Sequence, residues 1–239
     1  MNIIAIIPAR MASTRLPGKP LADIGGIPMV VHAWRAAARH PGIERAVVAT
    51  DHEDIAEAVR RAGGETRLTG THVSGTDRCH EAWHALGTPD AAILNLQGDE
   101  PFPDPAHLDA MCTAMQEGRW DVVTPIRPAK EGEAEQPERV KVAMDAHGKA
   151  LAFSRSPISG GTPDGIHIGM YGFAPGMLAH CAGLPEGRLE KQEKLEQLRW
   201  LEAGVEIGTV AVLEATGPGP VDTPEDLEHL RRWHAVHNP

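Results

Sequence analysis

Three cations stand in one short stretch near the start of the chain: Arg10, Arg15 and Lys19, interleaved with Pro8, Pro17, Gly18 and Pro20. The prolines stiffen the stretch, and Gly18 lets backbone come close to a ligand. Arginine offers a planar fork of donors and lysine a compact point charge, so three such heads on a stiff loop suit a polyphosphate. The stretch is neither a P-loop nor a GxGxxG turn, and a solvated surface loop is the plainer reading. Two carboxylates stand where chemistry would need them: Asp99 follows an apolar run, and Asp222 immediately precedes Thr223, which can cap a helix. Such carboxylates can hold Mg2+, which keeps several waters and binds through one or two carboxylates plus substrate phosphates. Singly, each aspartate is more simply a turn or cap residue. Beside the cationic loop, the pair could help neutralise a polyphosphate and a departing pyrophosphate.

The elements around these residues alternate between strand and helix. Residues 3 to 7 read as a buried parallel strand, so the cationic loop should emerge at its carboxyl end, where open α/β sheets hold their ligands. Pro28 opens a helix whose Val30, Ala33, Trp34, Ala37 and Ala38 share one face. Residues 46 to 50 form a second strand. Asp51 caps the next helix, which buries Ile55, Val59 and Ala62 and stops at Gly63 and Gly64. A third helix runs from Ser74 and Gly75 to Leu86, and a buried strand over 91 to 96 leads into Gln97, Gly98, Asp99 and Glu100. Leu108, Met111, Cys112 and Met115 mark one more helix.

From about Arg119 the pattern changes. Residues 122 to 126, 140 to 144 and 150 to 153 read as strands, with a hairpin turn over 145 to 148. Residues 129 to 138 read as a solvated acidic excursion and 156 to 165 as a Pro- and Gly-rich loop. One strand is expected over 166 to 173, one charged helix over 188 to 203 with Leu195, Leu198 and Leu201 as its seam, and a strand over 205 to 213. Thr223 then caps a terminal helix with Pro224, Glu225 and Asp226 in its first turn. The expected class is α/β: a single domain over 1 to 239 with a mixed, mostly parallel central sheet and an antiparallel extension at about 119 to 190.

The 239 residues, 41% of them hydrophobic, can bury a full core, and a net charge of −10 argues against a general nucleic-acid binder. An anionic ligand must therefore find a local cationic pocket. Cys79, Cys112 and Cys181 give neither a disulfide framework nor a zinc pattern, which points to a reducing cytoplasm. No signal segment is read at the start, and no apolar run approaches the roughly 20 residues that span a bilayer.

Eight motifs in order carry a family resemblance: PARMASTRLPGKPL at 8 to 21, ATDHEDIAEAV at 49 to 59, SGTDR at 74 to 78, NLQGDEP at 95 to 101, FSRSPI at 153 to 158, HIGMYGF at 167 to 173, LEQLR at 195 to 199 and PVDTPEDLE at 220 to 228. Together they resemble the 3-deoxy-manno-octulosonate (Kdo) cytidylyltransferases over nearly the whole chain. The resemblance implies a Rossmann-like nucleotidyltransferase fold, a homodimer, and Mg2+-dependent transfer of CMP from CTP to Kdo for lipopolysaccharide synthesis. It further implies that Arg10, Arg15 and Lys19 grip the phosphates and that Pro8, Ala9, Ser74 and Arg78 lie near the cytidine. Asp99 and Asp222 would be the metal ligands. Gln97, Arg155, His167, Tyr171, Glu193, Glu196 and Gln197 would line the sugar-acid pocket, with Arg155 suited to a carboxylate.

Plainer readings stand beside these. Arg155 could pair with an acidic neighbour, and His167 and Tyr171, four apart on one strand, could be a hydrogen-bonded core pair. Glu193, Glu196 and Gln197 could form a solvated helix face with Lys191, Lys194 and Arg199 as partners. A cytidylyltransferase for another acid, such as an amino-Kdo or a phosphonate, and a catalytically silent nucleotide-binding protein are the alternative functions.

Overall fold

The computed structural model describes every residue except 14, 159–162, 214, 216, 238 and 239. The elements follow one another as β1 (Ile3–Ala9), a 3-10 turn (Lys19–Leu21), β2 (Asp23–Ile24), β3 (Ile27–Pro28), α1 (Met29–Arg39), β4 (Arg45–Thr50), α2 (Glu53–Arg61), β5 (Glu65–Leu68), α3 (Gly75–Leu86), β6 (Ala92–Asn95) and α4 (Pro105–Glu117). After these come β7 (Val122–Arg127), β8 (Lys141–Met144), β9 (Ala150–Ser154), β10 (Gly165–His167), β11 (Tyr171–Phe173), α5 (Met177–Ala182), α6 (Arg188–Glu193), α7 (Gln197–Glu202), β12 (Ile207–Ala211) and α8 (Pro224–His237).

The main sheet has the order β5-β4-β1-β6-β11-β7-β10-β8-β9, with β12 on the other side of β7. β5, β4, β1, β6, β7 and β12 run in one direction, β11 is set antiparallel between β6 and β7, and β10, β8 and β9 form an antiparallel extension. The alternation along β1 explains the layering. Ile3, Ala5 and Ile7 face a cluster with Val30, Ile55, Val59, Leu108 and Met111, whereas Ile4 and Ile6 face one with Cys79, Ala82, Leu178, Leu198 and Trp200. A smaller cluster of Ile24, Met29, Val221, Leu227 and Leu230 seats α8 over the β2–β3 ribbon. From β1 the chain winds to β4 and β5 on one side and then returns to β6 on the other, so β1 and β6 flank the switch point where a crevice opens.

Four expectations need correction. Asp51 does not cap α2: His52 does, accepting from the Asp54 amide, while Asp51 accepts from the buried Arg78 guanidinium at 2.7 Å. A buried cation needs a counter-charge more than a helix needs this particular cap. The excursion at 129 to 138 is not wholly solvated, because it contains a 3-10 turn (Glu133–Glu135) whose Glu133 is buried and accepts two bonds from Arg127 at 2.7 and 2.6 Å.

The strand expected over 166 to 173 is two strands. Pro125 on β7 has no N–H to give the ladder, and the Thr124 hydroxyl donates instead to the Met170 carbonyl at 2.8 Å. The helix expected over 188 to 203 is also two, broken where Lys194 takes a left-handed conformation (φ 56°). The Arg155 guanidinium satisfies the two carbonyls near this break, Glu193 O at 2.9 Å and Lys194 O at 3.4 Å. Arg199, rather than pairing with the glutamates of a solvated face, grips buried Glu190 at 2.6 and 2.5 Å and so ties α7 to α6.

Arg127 holds the Glu133 carboxyl down from its ordinary 4.5 to about 2. A depressed carboxylate contributes stability that is present above the unfolded value and lost as pH falls through the folded one. Glu133→Gln is therefore expected to lower unfolding stability by about 3 kcal/mol at neutral pH. Urea denaturation should find that gap constant above pH 5 and closing as pH falls from 4.5 towards 2.

Candidate active site

The carboxyl ends of β1 and β6 open into a cleft of about 420 Å³. Pro8, Ala9, Arg10, Arg15 and Lys19 line it from the first loop, Gln97, Gly98 and Asp99 from the end of β6, Ser74, Gly75 and Arg78 from the start of α3, and Asp222 from the approach to α8. Every residue expected near the phosphates, the cytidine or the metal therefore stands at one cleft, together with Gln97.

The backbone makes this crowding possible. A Cβ on Gly98 would stand 2.7 Å from the Pro8 carbonyl oxygen, and one on Gly75 would stand 3.3 Å from Pro8 Cγ, so both glycines allow neighbouring segments to close on β1. Gly18 takes a left-handed conformation (φ 70°) and starts the 3-10 turn that carries Lys19. Ser74 caps α3 by accepting from the Asp77 amide at 3.0 Å, so the positive end of that helix dipole faces the cleft.

Lys19 sits at the centre. Its ammonium, 15% exposed, donates to Asp99 Oδ2 at 2.9 Å, to Asp222 Oδ1 at 3.3 Å and to the Val221 carbonyl at 2.8 Å. Arg15 reaches Asp222 at 3.1 Å from the solvent side. Asp222 is itself held by Asp226, whose Oδ2 accepts from the Asp222 and Thr223 amides at 2.9 and 2.8 Å. Four cations thus meet two carboxylates in the lining, a local positive excess on an acidic chain.

The remaining sequence candidates lie outside that lining. His167 and Tyr171 come together, with ring centroids 5.3 Å apart. Because the Thr124 hydroxyl already donates to Met170 O, the 2.8 Å contact between Thr124 Oγ1 and His167 Nε2 is a donation from the ring, which leaves Nδ1 as an acceptor. Burial pushes His167 down to about 3, so the ring is neutral near pH 7. Tyr171 packs edge-on to Trp200, and burial, with the nearby Glu196 charge, raises its phenol well above the ordinary range.

Glu196 accepts from the Ser74 and Thr76 hydroxyls, the latter at 2.8 Å; burial pushes its carboxyl up and these bonds oppose the shift. Glu193 Oε2 accepts from the Arg155 amide at 2.9 Å. The three helix residues are therefore not a solvated face: Glu193 and Glu196 bond inward, and Gln197 is 2% exposed with its Nε2 lacking a partner among the described residues. Among the described residues the Arg155 guanidinium pairs with no carboxylate; it donates to three carbonyls, the third being Pro137 O at 3.1 Å.

His72 and Val73 also line the cleft and went unnoticed in the sequence. His72 is fixed by a short contact to Glu81, which also accepts from the Gly70 amide, while Val73 is 96% exposed at the rim. A lone valine in the polar stretch just before SGTDR was the available signal. Among the described residues no three His, Cys, Asp or Glu side chains group as a metal site. Two carboxylates close enough to share one ammonium do fit a divalent ion that takes its other ligands from water and phosphate.

Comparison with known proteins fixes the class: residues 4–207 match the cytidylyltransferase family, to which the chain belongs. A 3-deoxy-manno-octulosonate cytidylyltransferase of Anaeromyxobacter sp. (strain K) is 44% identical over 236 residues, covering 96% of each chain, and the corresponding protein of strain Fw109-5 is 43% identical over the same span. The solved structure of a CMP:2-keto-3-deoxy-manno-octonic acid synthetase complexed with CTP matches with a TM-score of 0.92 at 38% identity, covering 99% of both chains. A cytidylyltransferase from Leptospira borgpetersenii shares the fold alone, with a TM-score of 0.67 at 19% identity, covering 100% of this chain and 89% of its own. Within its family the chain thus belongs with the 3-deoxy-manno-octulosonate cytidylyltransferases.

Gly98→Ala must move either the Pro8 carbonyl or Asp99. The variant is expected to stay folded and to bind CTP at least about tenfold more weakly, as read by calorimetric titration.

Proposed function

We propose that this chain transfers CMP from CTP to 3-deoxy-D-manno-octulosonate, releasing pyrophosphate, as a step of lipopolysaccharide synthesis. The observation that carries the reading is the Lys19 ammonium within reach of both Asp99 and Asp222, in a cleft that Arg10 and Arg15 also line. In this reading the triphosphate enters along the first loop, and Lys19 leaves the two carboxylates to donate to phosphate oxygens beside Arg10 and Arg15. Pro8, Ala9, Ser74 and Arg78 flank the nucleoside. Arg78 acts by holding the wall: it is 3% exposed and donates to Thr69 Oγ1 at 2.6 Å and to Asp51 at 2.7 Å.

Asp99 and Asp222 would hold Mg2+, which supplies charge neutralisation on the phosphates and a lowered pKa for the attacking hydroxyl. The sugar's anomeric hydroxyl attacks the α-phosphorus in line, the bond from that phosphorus to the bridging oxygen breaks, and the hydroxyl proton passes to solvent. No covalent enzyme intermediate is required. Gln97, His167, Tyr171, Glu193, Glu196 and Gln197 are assigned to the sugar hydroxyls and Arg155 to its carboxylate. Neutral His167 can accept through Nδ1, and the protonated Tyr171 phenol can donate.

A homodimer built on the antiparallel extension, and a cytoplasmic home suited to three unpaired buried cysteines, belong to the same proposal. No helix among the described residues is long and apolar enough to cross a membrane.

Pyrophosphate release with CTP and Mg2+ across a panel of sugar acids and the other nucleotides tests the reading, with turnover expected for CTP and Kdo. Asp99→Asn should cut that turnover by about a hundredfold or more while leaving the fold intact. Wild-type rates in the variant would remove the metal assignment, and turnover with a different acid would replace the acceptor.

A further inference from the structure

From the cleft a line of side chains runs inward, from Gln97 in its lining to Glu196 outside it. Gln97 Nε2 donates to Asn95 Oδ1 at 3.3 Å, Asn95 Nδ2 donates to the Thr76 hydroxyl at 3.5 Å, and Thr76 Oγ1 donates to Glu196 Oε2 at 2.8 Å. Asn95 and Thr76 are each 1% exposed, so water is poorly placed to replace a lost partner. Every donor points the same way, and the line ends on a carboxyl group. The direction follows from simple accounting of protons: the single Thr76 proton goes to Glu196, so the hydroxyl accepts from the Asn95 amide, whose oxygen is then turned to accept from Gln97. Chains of this kind polarise one another in a low-dielectric interior.

The two ends are the points of interest. Gln97 lines the nucleotide cleft, and its Oε1 lies 3.6 Å from where a Cβ on Gly75 would stand, at the start of α3. Glu196 lies at the break between α6 and α7 and also takes the hydroxyl of Ser74, another residue of the cleft. Thr76 is the middle link. It faces neither the cleft lining nor solvent, yet its one hydroxyl bonds the group on each side, sharing Glu196 with Ser74.

We propose that Thr76 is a positioning residue for CMP transfer, its hydroxyl holding Glu196 in fixed register, through Asn95, with Gln97, the one acceptor-side residue that also lines the nucleotide cleft. The inference rests on the functional reading above and deepens it. Thr76→Val keeps the shape and the β-branch while deleting one donor and one acceptor; Thr76→Ser keeps both.

The experiment is steady-state kinetics with CTP and Kdo. Thr76→Val is expected to raise the KM for the sugar acid about tenfold while the KM for CTP stays within about twofold, and Thr76→Ser is expected to behave as wild type. In a Glu196→Gln background, Thr76→Val should add no more than about a further twofold, because the two act through one contact. An unchanged acceptor KM in Thr76→Val, a Thr76→Ser variant as impaired as the valine, or effects of Thr76→Val and Glu196→Gln that simply multiply would each overturn the proposal.

If Thr76→Val is misfolded, as read by circular dichroism and thermal unfolding, Asn95→Leu cuts the same line one link away. It is expected to raise the acceptor KM several-fold, and an unchanged value would overturn the proposal equally. Wild-type turnover is measured first: its absence refutes the functional reading and this inference with it, whereas normal wild-type turnover with an unaltered valine variant refutes the inference alone.

Discussion

The Lys19 ammonium lies between Asp99 and Asp222, and three pieces of chain with no proximity in sequence meet at it: the first loop, the end of β6 and the start of α8. Two carboxylates that both reach one ammonium repel each other, and the cation between them offsets that repulsion. That constraint shapes much of what surrounds the cleft. It requires a glycine at position 98 so that the β6 loop can close on Pro8, and it requires Asp226 to take the amides of residues 222 and 223 so that Asp222 is aimed rather than loose. The whole of α8, seated by Leu227 and Leu230 on Ile24 and Met29, supports one carboxylate at the cleft. The terminal helix is therefore as much a part of the site as the first loop.

Much of this was legible in the sequence because it rests on local signals. Short apolar runs gave β1, β4 and β6, apolar stripes at helical spacing gave α1, α2 and α4, the start signal at Ser74 and Gly75 gave α3, and the end of a buried strand is where an α/β sheet exposes ligand-binding loops. Motif order then gave the family. What escaped reading was decided at a distance. Strand β5 is four residues long, mostly half-exposed and polar, so it carries no alternation to find. Asp51 has the chemistry of a cap, and only the folded chain brings buried Arg78 beside it. Glu133 sits in an acidic run that looks solvated until Arg127 is seen opposite it.

The two interrupted elements escaped for a shared reason. Lys194 is not a glycine, and residues 188 to 203 contain no proline, so nothing local announces a break. The break exists because its exposed carbonyls find a donor in Arg155, some forty positions earlier. The pause between β10 and β11 likewise exists because Pro125 lies on the neighbouring strand and Thr124 supplies a hydroxyl in its stead. In both places a side chain from elsewhere stands in for a missing backbone partner. Residues 168 to 170 and 194 to 196 are thereby freed from regular structure, and Glu196 comes to accept from Ser74 and Thr76 rather than face solvent.

Arg155 shows what such a substitution does to the side chain that makes it. A guanidinium carries five N–H groups. Three of them are engaged, one each on Glu193 O, Pro137 O and Lys194 O, and the buried Lys141 ammonium holds the Arg155 carbonyl from the other side. Among the described residues one N–H on each terminal nitrogen has no partner, and terminal guanidinium donors are the kind that a carboxylate takes. The three carbonyl bonds already fix the orientation of the fork, so any anion it took would meet an arginine that loses little freedom on binding. The interaction that breaks the helix is thus the same one that orients the charge: the irregular backbone here and the fixed direction of the guanidinium are two consequences of a single side chain.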